Sequence, residues 1–339
     1  MKDHDFDNKT HLLAGQINVT HEEYETMALG HLKELWTNYG ELTEIWFDGG
    51  YTNTTKNRIK DMLDQYQPNA IVWRGQGMTP STVAWIGTES GFPEEPDEIW
   101  STGCSTLGGL GDPDSMHWCP KGCDTTLHKY DKWFYIPEIG VRSLETMVDI
   151  YHRTVGRNGV LELGVAVDKT GRIPQNHAQT YEQMGDFIRA CYGTPLQTWV
   201  RKDVDLNGYV LELELDKPKV EIDRILLRED QWRGGQRIRQ YTIHVQLEGA
   251  EEGEWTLFSK GQSIGNKRID LYKKNTTTSS DQEALQPITI QGRIRFHAVM
   301  TTDVPMLREV SIFAPCPDPA NFTGGDESSF LLHETSLQR

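Results

Sequence analysis

The sequence predicts an α/β layer built on a parallel sheet, followed by an all-β sandwich. Short apolar runs alternate with helix-periodic segments as far as about residue 195. Beyond that point the texture changes to alternating strands separated by turns at regular spacing. Ten Trp, twelve Tyr and ten Phe, within a hydrophobic fraction of 37%, supply enough large apolar side chains for packed cores. A chain of 339 residues suits two domains.

The first firm element is a helix over residues 21–38. Thr20 followed by Glu23 forms a capping box, and Tyr24, Met27, Ala28, Leu32, Leu35 and Trp36 recur at helical spacing until Gly40 stops the helix. Residues 43–47 (TEIWF) read as a short buried strand, broken by Asp48-Gly49-Gly50. A helix over 55–66 and buried strands at 70–73 (AIVW) and 83–86 (VAWI) follow. The segment 87–130 is rich in Gly, Pro and Asp and reads as a long functional loop. After it the pattern predicts a strand over 132–136, a helix over 144–155, a buried strand over 159–167 and a helix over 178–191. Strand-like runs then begin at Gly208, Val220, Arg237, Glu254, Pro287 and Arg308, and the last residues are polar.

The α/β part therefore offers only four or five strand candidates. A complete (β/α)8 barrel needs eight strands and about 250 residues. The expected organisation is an N-terminal segment over 1–19, the C-terminal part of a (β/α)8 TIM-like barrel over 20–195, a β-sandwich over 196–317 and a polar tail over 318–339. On this reading the first third to half of the barrel is absent.

Lys plus Arg total 34 against 50 Asp plus Glu, a formal charge of −16, which argues against phosphate backbones and anionic membranes as partners. No apolar run reaches the ~18 residues of a membrane span. The first residues lack the apolar core of a secretory signal. Yet sequons occur at Asn8, Asn18, Asn53, Asn275 and Asn321, and these have meaning only in the secretory pathway. Of the five Cys, Cys104, Cys119 and Cys123 cluster, Cys191 and Cys316 stand alone, and the odd count leaves at least one thiol unpaired within the chain. Cys119-x3-Cys123 beside His117 lacks the second ligand pair of a zinc site, so no metal is expected there; it reads as a local disulfide or free thiols.

Two carboxylates stand out. Asp48 sits at the C-terminal end of a buried strand, before two glycines, where a barrel carries its catalytic groups. Its position suits a nucleophile; the competing reading is a turn residue. Glu89, just past the strand that ends in Trp85-Ile86, suits a general acid; the competing reading is a solvated loop carboxylate among Glu94, Glu95, Asp97 and Glu98. Carboxylates from two strand ends are the arrangement glycoside hydrolysis requires.

At these residues the sequence resembles a known family. ELTEIWFDGG around Asp48, paired with WIGTESG around Glu89, resembles the family 29 α-L-fucosidases, in particular their 1,3/1,4-selective subgroup. The likeness continues through WCPKGCD (118–124), KWFY (132–135), residues 143–173 with their GRN triplet, and ILLREDQWRGGQRIRQYTIHV and SIGNKRI in the sandwich. The chain departs from the family pattern at Ala84, where an Arg is usual, and at Gly122, where a Glu is usual. The resemblance implies a retaining α-L-fucosidase without a cofactor. Asp48 would be the nucleophile and Glu89 the acid/base, with Trp46, Trp85 and Trp133 contacting the substrate. It also implies a fucosylated glycan as partner and a secreted or lysosomal/vacuolar location. The alternative is a truncated or degenerate non-catalytic paralogue, at most a carbohydrate-binding protein; a stand-alone sugar-binding sandwich is a third possibility.

Overall fold

The computed structural model describes residues 15, 17–93, 98–104, 109–203, 208–251, 253–272 and 286–323. The sequons at Asn8 and Asn275, Glu94, Glu95 and Asp97 of the acidic run, most of the N-terminal segment and the tail beyond residue 323 lie outside these.

The first layer is a five-stranded parallel sheet in sequential order: β1 (Glu44–Trp46), β2 (Ile71–Trp73), β3 (Thr82–Trp85), β4 (Lys121–Thr126) and β5 (Val160–Gly164). Four helices accompany it: α1 (His21–Asn38), α2 (Lys56–Tyr66), α3 (Leu144–Thr154) and α4 (Gln175–Tyr192). This is part of a (β/α)8 barrel. α1 begins where the capping box predicts, with Glu23 N–H donating to the Thr20 hydroxyl at 3.2 Å and Thr20 N–H to the Glu23 carboxylate at 2.7 Å. Its Leu29 and Trp36 pack with Ile59 and Leu63 of α2 on Ile45, Phe47 and Val72, which face outward from β1 and β2. Side chains alternate along a strand, so Glu44, Trp46 and Trp73 face the opposite, inner side. That side is open: Trp46 is 39% exposed, Ile71 43% and Val160 38%.

One expected strand is displaced. Residues 132–136 (KWFYI) are not a strand; Phe134 is 87% exposed, and the segment is a strap over the sheet after a 3-10 turn at Lys129–Asp131. The strand is β4, inside the segment expected to be one long loop. KGCDTT contains Gly, Lys and Asp, residues depleted in strands, and only burial on both faces between β3 and β5 makes it one.

The second layer is two four-stranded antiparallel sheets. They comprise β6 (Gln197–Asp203), β7 (Val210–Ile222), β8 (Arg224–Glu229), β9 (Ile238–Leu247), β10 (Thr256–Gly261), β11 (Arg268–Leu271), β12 (Ile288–Thr301) and β13 (Met306–Phe313). The orders are β10-β9-β12-β7 and β11-β8-β13-β6. A single core of inward-facing residues, including Ile225, Leu227, Tyr241, Ile243, Phe296 and Ile312, fills the space between them.

The GRN and SIGN motifs join the two layers. Asn158 takes a left-handed conformation (φ 72°), donates to the Ile99 carbonyl at 2.9 Å and accepts from Asn266 N–H at 2.7 Å. Gly265 lies so close that any Cβ would overlap the Asn158 amide. Beside them the buried Arg268 pairs with Glu98 at 2.9 Å and Asp270 at 2.9 Å. Cys104 pairs with Cys119. Cys191 and Cys316, isolated in sequence, pair with each other and tie α4 to the segment after β13; Cys123 is a free, buried thiol.

Candidate active site

The parallel sheet places the functional side chains by register. Trp46, Trp73, Trp85 and Asp124 project from successive strands onto the inner face, with Trp46 opposite Trp73 and Trp85 opposite Gly122. Asp48 follows β1 in a turn closed by Gly50 N–H on the Phe47 carbonyl at 3.2 Å. Gly49 and Gly50 have φ of 74° and 85°, which only glycine adopts without strain, so the turn after Asp48 is built into the DGG sequence. Both Asp48 and Glu89 are exposed at the C-terminal ends of their strands.

Each of two indoles holds a carboxylate. Trp133 Nε1 donates to Glu89 Oε2 at 2.9 Å. Its ring fills the space over Gly164 of β5, where a Cβ would come within 2.7 Å. Trp85 Nε1 donates to Asp124 Oδ1 at 2.6 Å, and the Arg74 guanidinium lies 5.7 Å from the Trp85 ring. Trp46 stacks obliquely on Trp73, centroids 4.7 Å apart, and keeps one face open. Burial raises the Asp124 carboxyl above the usual carboxylate range. The Trp85 indole and the residue's own backbone N–H oppose this, and the negative charges of Glu89 and Asp48 add to it. Asp124 therefore senses both exposed carboxylates.

Chemically the mouth offers two accessible carboxylates, a third buried one, and aromatic walls. That set suits a polar ring with an apolar face. Among the described residues, no group of three or more His, Cys, Asp or Glu is arranged to hold a metal, and no helix is long and apolar enough to cross a membrane.

A family model described as alpha-L-fucosidase matches residues 2–193, more than half of the chain. The chain belongs to the α-L-fucosidase family. It is 25% identical over 293 residues to Alpha-L-fucosidase 1 of Arabidopsis thaliana, covering 73% of this chain and 56% of that relative. The chain thus spans about half the length of that curated α-L-fucosidase. A crystal structure of a putative α-L-fucosidase from Bacteroides thetaiotaomicron superposes with a TM-score of 0.71 at 26% identity, covering 87% of this chain and 66% of that one. A Ruminococcus gnavus GH29 fucosidase solved in complex with fucose shares the fold, with a TM-score of 0.68 at 18% identity, covering 89% and 68%.

Within this α-L-fucosidase frame, the two departures from the family pattern have structural counterparts. A side chain at Gly122 has no room, because the Trp73 ring sits 2.2 Å from where its Cβ would be. Ala84 is buried beside Lys121, its register partner, on the face turned away from the inner side. The Arg74 guanidinium, at the end of β2, lies near the Trp85 ring. Sequence reasoning missed Asp124. The available signal is its place at the end of WCPKGCD, but the Gly- and Pro-rich segment reads as loop, and only its pairing in β4 shows that it faces inward.

Proposed function

We propose that the protein is a retaining α-L-fucosidase acting on fucosylated glycans, with Asp48 as nucleophile and Glu89 as acid/base. What supports this reading is a pair of exposed carboxylates placed after β1 and β3, each acting electrostatically on the one buried carboxyl of Asp124. In the first step Asp48 attacks the anomeric carbon while Glu89 gives its proton to the departing glycosidic oxygen. In the second, Glu89 takes a proton from water, which releases fucose from the covalent intermediate. The Trp133 indole fixes Glu89 in both steps. Trp46, Trp85 and Trp133 offer ring faces and edges to the apolar side of the sugar, and the family resemblance favours 1,3/1,4-linked fucose.

A secretory location accords with this reading. The sequon residues Asn18, Asn53 and Asn321 are exposed, and two disulfides fit an oxidising compartment.

The test is hydrolysis of an aryl α-L-fucoside and of a fucosylated 1,3/1,4-linked trisaccharide by the full chain. Turnover is expected, with retention at the anomeric carbon. Asp48→Ala abolishes it, and Glu89→Ala slows it most for poor leaving groups; azide restores one or both. Folded wild type that binds fucose without turnover points instead to a carbohydrate-binding protein.

A further inference from the structure

The turn that leads into Trp133 is strained, and a buried imidazole helps to hold it. After β4 the chain passes His128 and turns through Lys129–Asp131, where Tyr130 and Asp131 take left-handed conformations, φ 61° and 54°. Residues with a Cβ adopt this region at a cost, so two in succession need support from their surroundings. Arg142 gives part of it, pairing with Asp131 and donating from Nε to the Thr126 carbonyl at 2.9 Å. On the far side of the turn the Thr126 hydroxyl donates to the Lys132 carbonyl at 3.0 Å, and His128 Nδ1 lies 3.1 Å from the same oxygen. A carbonyl only accepts, so Nδ1 is the ring nitrogen that carries the proton. The next residue is Trp133, whose indole donates to Glu89 at 2.9 Å.

Packing alone does not account for a histidine at this position. The His128 ring is 0% exposed and meets the equally buried ring of His177, on α4, edge to face with centroids 4.5 Å apart. Tyr135, two residues after Trp133, closes the cluster at 5.9 Å from His128 and 5.7 Å from His177. Among the described residues, His128 Nε2 and both His177 ring nitrogens have no hydrogen-bond partner. Buried nitrogens without partners cost stability, which an apolar side chain at 128 would avoid for its own ring. What the imidazole adds over such a side chain is the Nδ1–H, and the group it reaches is the Lys132 carbonyl.

Resting on the fucosidase reading above, we propose that His128 is a positioning residue for the general acid: its Nδ1–H fixes the Lys132 carbonyl, and with it the Trp133 indole that orients the Glu89 carboxyl. Glu89 is exposed and follows β3 in a loop, so its own segment does little to fix its side chain. The Trp133 indole is the hydrogen-bond partner that does. A general acid acts only within hydrogen-bond reach of the oxygen it protonates. A misplacement of about 1 Å there costs on the order of a hundredfold in rate.

The experiment compares wild type with His128→Leu, which fills the space without a donor, and His128→Asn, whose amide nitrogen can stand where Nδ1 does. The readout is kcat/KM, which reports the step in which Glu89 gives its proton, on two substrates. A fucosylated trisaccharide has a leaving group that needs the proton; a dinitrophenyl α-L-fucoside has one that does not. His128→Leu is expected to lower kcat/KM about ten- to a hundredfold on the trisaccharide and little on the aryl fucoside, and His128→Asn to restore most of the loss. Equal losses on both substrates overturn the proposal, because a purely structural role predicts them. An undiminished His128→Leu, or a His128→Asn no better than His128→Leu, overturns it too. If wild type hydrolyses no fucoside, the functional reading fails and the positioning is read by NMR. The Trp133 indole N–H signal, assigned with Trp133→Phe, is expected to shift in His128→Leu and to return in His128→Asn. An unmoved signal overturns the positioning. So does a wild-type His128 ring protonated on Nε2 alone, which needs no variant to fold.

Discussion

The two layers bury their side chains in opposite ways. In the sandwich, strands of up to 14 residues enclose a core in which Ile225, Val245 and Ile290 are completely buried between two sheets. In the partial barrel, strands of three to six residues are covered by helices on the outer face only, and the inner face shows Trp46, Ile71 and Val160 to solvent. The residues with chemistry lie on the open face. The densest packing and the candidate site thus lie in different layers, joined by Asn158, Arg268 and the packing of Met147, Ile150 and Tyr151 on Leu226, Ile269 and Phe313. Substitutions should therefore separate: those in the sandwich act on folding, those on the inner face on binding.

The largest effect is expected from Phe296→Ala. This ring is buried in the sandwich core and stacks on Tyr241, so its loss costs about 3–5 kcal/mol, read as a shift in the urea midpoint. A cost below about 1 kcal/mol would mean the sandwich core is looser than its packing shows. Gly122→Ala comes next. The added methyl meets the Trp73 ring at 2.2 Å, and overpacking of this kind costs about 1–3 kcal/mol. It is an inner-face change that acts on stability, because Trp73 is buried.

The joint between the layers has its own signature in pH. Burial, and then the positive charges of Arg224 and Arg157, hold the His152 imidazole down to about 3. The unfolded chain binds a proton near pH 6.5 that the folded chain refuses. This contribution is therefore complete above about pH 6.5 and is lost as pH falls toward 3, by up to about 1.4 kcal/mol per pH unit. His152→Gln should flatten that slope in a series of denaturation curves; an unchanged slope would place the acid sensitivity elsewhere. Trp46→Ala should cost the least stability, about 1 kcal/mol or less, because the ring is partly exposed. It should weaken fucose binding by about two- to tenfold by calorimetry. A large loss of stability with unaltered binding would reverse the assignment of roles between the layers.

Much of this was legible in the chain. The capping box and apolar spacing set α1 at its observed bounds, and the EIW, IVW and TVAW runs became β1, β2 and β3. The exposed positions of Asp48 after β1 and Glu89 after β3 were legible because a short apolar run followed within a few residues by Gly marks a strand end. β4 was not legible, because its strand character comes from its neighbours rather than its residues. KWFYI misled for the converse reason: its aromatic residues serve a strap, where Trp133 reaches back 44 residues to Glu89. The pairing of Cys191 with Cys316 spans 125 residues, and nothing local marks it.

The sequence by itself determined the order of elements, the change from α/β to all-β and the two exposed carboxylates, because these follow from periodicity and turn chemistry within a few residues. The tertiary structure decided which side chains face inward together. Register across β3 and β4 puts Trp85 on Asp124, Trp73 fills the space above Gly122, and Asn158 meets Gly265 across the joint. Those relations depend on contacts between residues 39 to more than a hundred positions apart, and no local pattern in the chain records them.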